Sequence, residues 1–219
     1  MRSFEEIYTI AADRKGGPEA LEELIASSQS GAKNTTDDRW LSTFSKAIFS
    51  AGFNWKVVDT KWPGFEAAFK GFDPAKVAMM DDEWFDSLLT NTNIIRNGPK
   101  IRAVHENAIA FTELAAEYGS VTKMIDDWPA DDYIGLLELL KKRGSRLGGS
   151  TGPYALRFGG RDGFILSRDV VARLIAEGVV DKDPTSKTAK AKVQAAFNEW
   201  AKTSGRSMTE ISRVLALSL

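Results

Sequence analysis

The spacing of the apolar residues is the strongest constraint on what this chain can fold into. Leu41, Phe44, Ile48 and Phe49 recur at threes and fours, as do Ile101, Val104, Ala108, Phe111, Ala115 and Tyr118. Ile134, Leu137 and Leu140 continue the pattern. Such spacing puts apolar side chains on one face of an α-helix, where roughly 3.6 residues complete a turn. The two-residue alternation of a half-buried strand is nowhere sustained. The sequence therefore predicts an all-α fold.

Local signals place the elements. A helix is expected over 18–27, with Pro18 in its first turn, and a polar linker over 27–38. The next helix starts at Arg39 and stops at Ala51-Gly52. Lys61-Trp62-Pro63-Gly64 reads as a break, followed by a short helix that Gly71 ends. Asp73 is placed to cap a helix carrying Val77, Met79 and Met80, and Trp84, Phe85, Leu88 and Leu89 mark another. The longest helix is expected over 99–118, stopped by Gly119, and a further one over 129–143, stopped by Gly144. A helix through Tyr154, Leu156 and Phe158 precedes three closing helices at 168–177, 186–203 and 207–217. The expected division is an N-terminal helix and linker over 1–38, and one domain over 39–219 with a hairpin at about 134–159.

Composition excludes several chemistries. With no Cys among 219 residues there are no disulfides, thiol nucleophiles, Cys-ligated zinc or iron–sulfur clusters. The single His, His105, is a poor basis for a His metal site or a Ser-His-Asp triad and reads as structural. No metal or cofactor is expected. No apolar run is long enough to span a membrane, and Met1-Arg2-Ser3-Phe4-Glu5-Glu6 turns acidic too early for a secretory signal. A soluble, cytoplasmic, nucleoid-associated monomer is expected.

The near balance of 29 Lys+Arg and 30 Asp+Glu hides local clusters. Cations gather at Lys141-Lys142-Arg143-Gly144-Ser145-Arg146 and around Arg96 and Lys100. The first cluster leads into Leu147-Gly148-Gly149-Ser150-Thr151-Gly152-Pro153 and a helix. Two helices joined by a tight glycine turn can aim the second helix's N–H groups at an anion, with the helix dipole behind them. The alternative is a plain helical hairpin whose glycines serve only the turn, its cations being a solvated helix end.

The surrounding residues favour the anion site. Leu147 to Leu174 resembles the helix-hairpin-helix superfamily of DNA glycosylases. Three further stretches resemble the DNA-3-methyladenine glycosylase I family within it: Ala51-Gly52-Phe53-Asn54-Trp55; Phe72-Asp73-Pro74-Ala75-Lys76-Val77-Ala78, with Ile94-Ile95-Arg96-Asn97 and Asn107-Ala108 beyond it; and Lys141 to Gly144 leading to Gly149-Ser150-Thr151 and Tyr154. The likeness covers residues 40 to 175. It implies two helical lobes with a cleft between them, and binding to double-stranded DNA that contains a damaged base.

The resemblance also assigns roles. The match at Ala51 to Trp55 puts Trp55 and Asn54 in the expected base pocket, with Phe49 and Trp40 as neighbouring candidates; a core tryptophan is the alternative for Trp55. Phe53 is a candidate to wedge into the gap left by an extruded nucleotide, the alternative being a core side chain that anchors the turn. Gly149, Ser150, Thr151, Gly152, Tyr154, Lys141, Arg143, Arg146, Arg96 and Lys100 make up the DNA-binding set. The superfamily's catalytic Asp falls on Ser167, an absence that the type I family shares. The sequence departs from that family at its pocket glutamate, which falls on Ala47. The family's zinc ligands and N-terminal pocket aromatics are missing. Asp169 and Ser167 remain as catalytic candidates, each equally suited to capping a helix. Glu66 and Asp59 lie near Trp55 in sequence, with nothing in the sequence to orient them.

The expected activity is hydrolysis of the N-glycosidic bond of an alkylated purine, 3-methyladenine foremost, without strand cutting. Three alternatives stay open at this point: a catalytically silent damage-recognising DNA-binding protein, a glycosylase for a different lesion, and a helical adaptor.

Overall fold

A computed structural model of the chain describes residues 1–27 and 31–219. Its helices are α1 (Phe4–Lys15), α2 (Pro18–Ala26), α3 (Asp37–Ser50), α4 (Trp55–Ala68), α5 (Pro74–Ala78), α6 (Asp82–Thr90), α7 (Gly98–Tyr118), α8 (Val121–Asp127), α9 (Tyr133–Arg143), α10 (Thr151–Phe158), α11 (Arg168–Ala176), α12 (Lys187–Ser204) and α13 (Met208–Leu217). Short 3₁₀ turns lie at Lys70–Phe72 and Ala130–Asp132. There is no strand among the described residues, and no helix among them is long and apolar enough to cross a membrane.

The chain divides into two units. The first is discontinuous, built from Met1–Gly31, Pro129–Gly135 and Asp162–Leu219. The N-terminal residues therefore belong with the C-terminal helices, which nothing in the local residue pattern signals. Residues 28–30 of the expected linker lie outside the described residues. Ser3 and Glu6 form a capping box that starts α1, and Ser207 and Glu210 form one that starts α13. The core of this unit is aromatic: Phe164 stacks on Phe197 at 4.0 Å, and Phe197 meets Trp200 edge-on at 5.7 Å. The Trp200 indole donates to the Arg2 carbonyl at 3.1 Å.

The second unit comprises Ala32–Trp128 and Leu136–Arg161. Here α3 packs against α7 and α10, with Phe44 and Phe111 edge-on at 5.9 Å. In α7 the Asn97 side chain caps the first turn and Gly119 follows the last residue. His105 Nε2 lies 3.1 Å from the Ala78 carbonyl, a structural contact between α7 and α5.

One expectation fails here, and two helices, α1 and α8, are additional. Lys61–Gly64 does not break the chain, because α4 runs through Pro63. Proline removes one N–H and crowds the preceding turn. Packing compensates: Trp62 stacks on Phe65 at 4.9 Å and on Phe72 at 5.3 Å, and Phe65 is fully buried. Of the two additional helices, α1 starts from its capping box and α8 follows Gly119 directly. Ser120 caps α8, and Asp37 holds it through the N–H groups of Val121 and Thr122 at 3.0 and 2.7 Å.

The hairpin between α9 and α10 is clamped by Asn107, which is 1% exposed. Its Nδ2 donates to the Ser145 carbonyl at 3.0 Å, and its Oδ1 accepts from the Ser145 N–H at 2.8 Å. Replacing Asn107 with Leu orphans both backbone groups, so about 2–4 kcal/mol of stability should be lost, measured by urea unfolding.

Candidate base pocket

A cavity of about 940 Å³ opens in the second unit, and its lining comes from that unit alone. α3 contributes Arg39, Ser42, Lys46 and Ala47; α4 contributes Trp55, Asp59, Trp62 and Glu66; the hairpin side contributes Ser150, Thr151, Tyr154 and Phe158.

Glu66 is the most highly organised group in it. Its carboxylate accepts two bonds from the Arg39 guanidinium at 3.0 and 2.9 Å, one from the Ser42 hydroxyl at 2.6 Å and one from the Trp62 indole at 3.1 Å. Arg39 also donates to Asp38 at 2.8 Å and to the Gly71 carbonyl at 2.8 Å. Burial by itself raises the Glu66 pKa, but the bonds from Arg39 and Ser42 outweigh it. The carboxyl is left below the ordinary glutamate value of 4.5. Asp38 is likewise lowered against its burial, by bonds from Thr36 and Arg39. Two carboxylates thus flank one guanidinium, leaving a negative balance. A second ion pair, Lys46 to Asp59 at 2.6 Å, stands nearby, with Lys46 Nζ 5.5 Å from the centre of the Trp62 ring.

The sequence did not identify Glu66, Arg39, Ser42 or Trp62 as a constellation. A usable signal was present, because Trp62 and Glu66 are four residues apart and share a helix face. Reading Pro63 as a break concealed it.

The residues expected at the site fall in several places. Trp55 lines the cavity and is 61% exposed, so it stands at the mouth. Trp40 and Phe49 are core residues, 1% and 0% exposed, because α3 turns that face inward; neither lines the cavity. The Asn54 side chain caps α4 by accepting from the Lys56 N–H at 3.0 Å. Phe53, ahead of that cap, is exposed.

At the hairpin, Gly149 has φ +62°, a conformation that L side chains rarely adopt. A Cβ on Gly152 would lie 2.6 Å from the Leu147 carbonyl oxygen, so only glycine permits this approach. The exposed rings of Tyr154 and Phe158 stack at 5.9 Å along α10. Lys141, Arg146 and Arg96 are exposed.

Arg143 is instead engaged by Glu117 at 2.7 Å and Glu113 at 3.3 Å. Lys100 donates to the carbonyls of Phe49 at 3.0 Å and Ala51 at 2.7 Å, closing the end of α3, and burial followed by the Arg146 charge lowers its pKa. Both are thereby committed within the fold. Ser167 caps α11, accepting from the Val170 N–H at 3.3 Å. Asp169, in the first turn of α11, is an exposed carboxylate 3.6 Å from Arg168. Both belong to the first unit, and neither lines the cavity.

Comparison with known proteins shows what the chain is similar to. The methyladenine glycosylase family model matches residues 29–134. Over 88 residues, 36% of this chain, the sequence is 35% identical to DNA-3-methyladenine glycosylase 1 of Escherichia coli strain K12. The chain spans less than half the length of the curated relatives it matches, 47% of that one. A crystal structure of 3-methyladenine DNA glycosylase I superposes with TM-score 0.52 and 27% identity, over 64% of this chain and 87% of that one. The chain is similar to the methyladenine glycosylase family over a little under half of its length. The 8-oxoguanine glycosylase/lyase of Methanocaldococcus jannaschii, at 14% identity and TM-score 0.52, covers 96% of this chain and 95% of its own. At that identity the likeness concerns the fold alone.

The ion pair makes an acid-stability prediction. A carboxyl whose folded pKa lies below its unfolded value contributes stability above the unfolded value, and that contribution is lost as pH falls through the folded one. The thermal midpoint should hold from about pH 7 to about pH 5 and fall below the ordinary glutamate value of 4.5. In Glu66→Gln the acid drop should be shallower, as read by circular dichroism melts across that range.

Proposed function

We propose that this chain is a DNA glycosylase that hydrolyses the N-glycosidic bond of an alkylated purine, 3-methyladenine foremost, in duplex DNA. One observation carries the reading: the cavity and the hairpin adjoin. The residues that open α10, Ser150 and Thr151, line the same cavity as Trp55 and Glu66. A hairpin that holds a phosphate would therefore hold the strand next to a pocket for one of its bases. The relatives named above support this chemistry.

An alkylated purine carries positive charge on its ring and departs as a neutral base, so its glycosidic bond is already weakened. The protein's work is then to extrude the nucleotide, hold the base and admit water. Trp55 at the mouth offers a ring face to a cationic base. Phe53 is exposed on the turn before α4, where it can fill the vacated stack. Lys141, Arg146 and Arg96 are exposed and can meet backbone phosphates, which fix register without reading sequence. Lys46, the cavity's amine, is tied to Asp59 as an ion pair, and this favours hydrolysis by water over attack by lysine. An organised carboxylate within the cavity supports the enzyme reading over a catalytically silent binder.

The test is base release from DNA treated with a methylating agent, with the freed purines separated by chromatography. Wild type should release 3-methyladenine. Trp55→Ala should lose at least about tenfold in rate, and the double variant Lys141→Ala with Arg146→Ala should weaken duplex binding. The double variant should also flatten the dependence of log affinity on log salt, by about one for each phosphate it no longer neutralises. Asp169→Asn should behave as wild type. Release of no purine by the wild type would overturn the proposal.

A further inference from the structure

In the resemblance, the pocket glutamate falls on Ala47, and the same cavity holds another carboxylate. Ala47 lines the cavity from α3 with only a methyl group. Glu66 lines the same cavity from the neighbouring helix α4. We infer that Glu66 is the base-recognising carboxylate of this pocket, supplied from α4 instead of α3, and that it selects purines carrying positive charge. This rests on the glycosylase reading above and names the group that sets its specificity.

Three observations carry it. First, the carboxylate is held at both oxygens by Arg39, and Ser42 and Trp62 add bonds to Oε1. Four bonds fix its position before any ligand arrives, which lowers the ordering cost of recognition. Second, acceptor capacity remains. Oε2 takes one bond, from Arg39 at 2.9 Å, and an ionised carboxylate oxygen has room for a second. An exocyclic amino group on a purine edge supplies such a donor. Third, the local charge has the right sign. Arg39 divides its charge between Asp38, which lies outside the cavity lining, and Glu66, so Glu66 keeps part of its negative charge. In a partly desolvated cavity that charge attracts a cationic ring more strongly than a neutral one.

Arg39 and Ser42 are positioning residues in this arrangement, since each acts by holding Glu66. Trp62 acts in the same way, because its indole bonds Glu66 while its ring stacks on Phe65 and Phe72. The pocket wall and its acceptor are thus one rigid piece.

The experiment compares wild type, Glu66→Gln, and the double variant Glu66→Gln with Ala47→Glu. Each is assayed for purine release from methylated DNA and from a duplex containing hypoxanthine, a neutral base. Thermal midpoint and affinity for a duplex carrying a stable abasic analogue are measured alongside. Glu66→Gln should lower release of methylated purines about 10- to 100-fold, the range for a hydrogen bond to a charged group. Its affinity for the abasic duplex should stay within about twofold of wild type, and its preference for charged over neutral bases should shrink by a similar factor. Returning a carboxylate at position 47 should recover at least about a tenth of the lost rate.

Methylated-purine release by Glu66→Gln within about threefold of wild type would overturn the assignment and leave the glycosylase reading intact. A joint fall in thermal midpoint, DNA affinity and release, with no recovery in the double variant, would assign Glu66 to the fold and overturn it too. No release by wild type would remove the glycosylase reading and this assignment with it.

Discussion

The two-pronged bond between Arg39 and Glu66 joins α3 to α4 across the wall of the cavity. It gathers several contacts of the cavity wall around one guanidinium. Arg39 reaches on to the carbonyl of Gly71, where the chain leaves α4 for the 3₁₀ turn at Lys70–Phe72. Glu66 draws in Ser42 and the Trp62 indole, and Trp62 lies against Phe65 and Phe72. An exposed ion pair contributes little to stability, but a planar guanidinium meeting a carboxylate through two bonds fixes geometry. Removing either partner would leave the other short of bonds beside an aromatic wall.

That anchoring explains how a helix can carry a proline through its middle at the site. Pro63 forgoes one backbone bond, and Trp62 and Glu66, on either side of it, are each held to α3 by side-chain bonds. The cost in helix regularity is offset by fixed contacts at the cavity wall. Strain or irregularity near a site is common where the surrounding structure determines the backbone more strongly than local propensity does.

The helical class was fully legible from periodicity, because amphipathic spacing repeats over most of the chain. Strong terminators such as Gly119 and the Asp73 cap located their helix ends well. The pairing of the N-terminal residues with the C-terminal helices was not legible, since contacts such as Trp200 to Arg2 leave no mark on local spacing. Trp40 and Phe49 looked like pocket aromatics by proximity to Trp55, yet a helix turns successive residues to different faces and these two face the core. Arg143 and Lys100 looked free because their partners, Glu113, Glu117 and two carbonyls, are remote in sequence. Glu66 was hidden for the same reason: Arg39 and Ser42 come from another helix. Local chemistry reads well from sequence, whereas a site assembled across helices needs the fold.

One unit thus holds the hairpin proposed to grip a phosphate and the proposed base pocket beside it. The most direct test is a crystal structure of the protein with a short duplex carrying an abasic analogue, in the presence of 3-methyladenine. The free base is expected in the cavity against Trp55, with its amino edge within hydrogen-bond distance of the Glu66 carboxylate and a backbone phosphate on the N–H groups at the start of α10. A duplex bound elsewhere on the molecule, or a base seated away from Glu66, would contradict this arrangement.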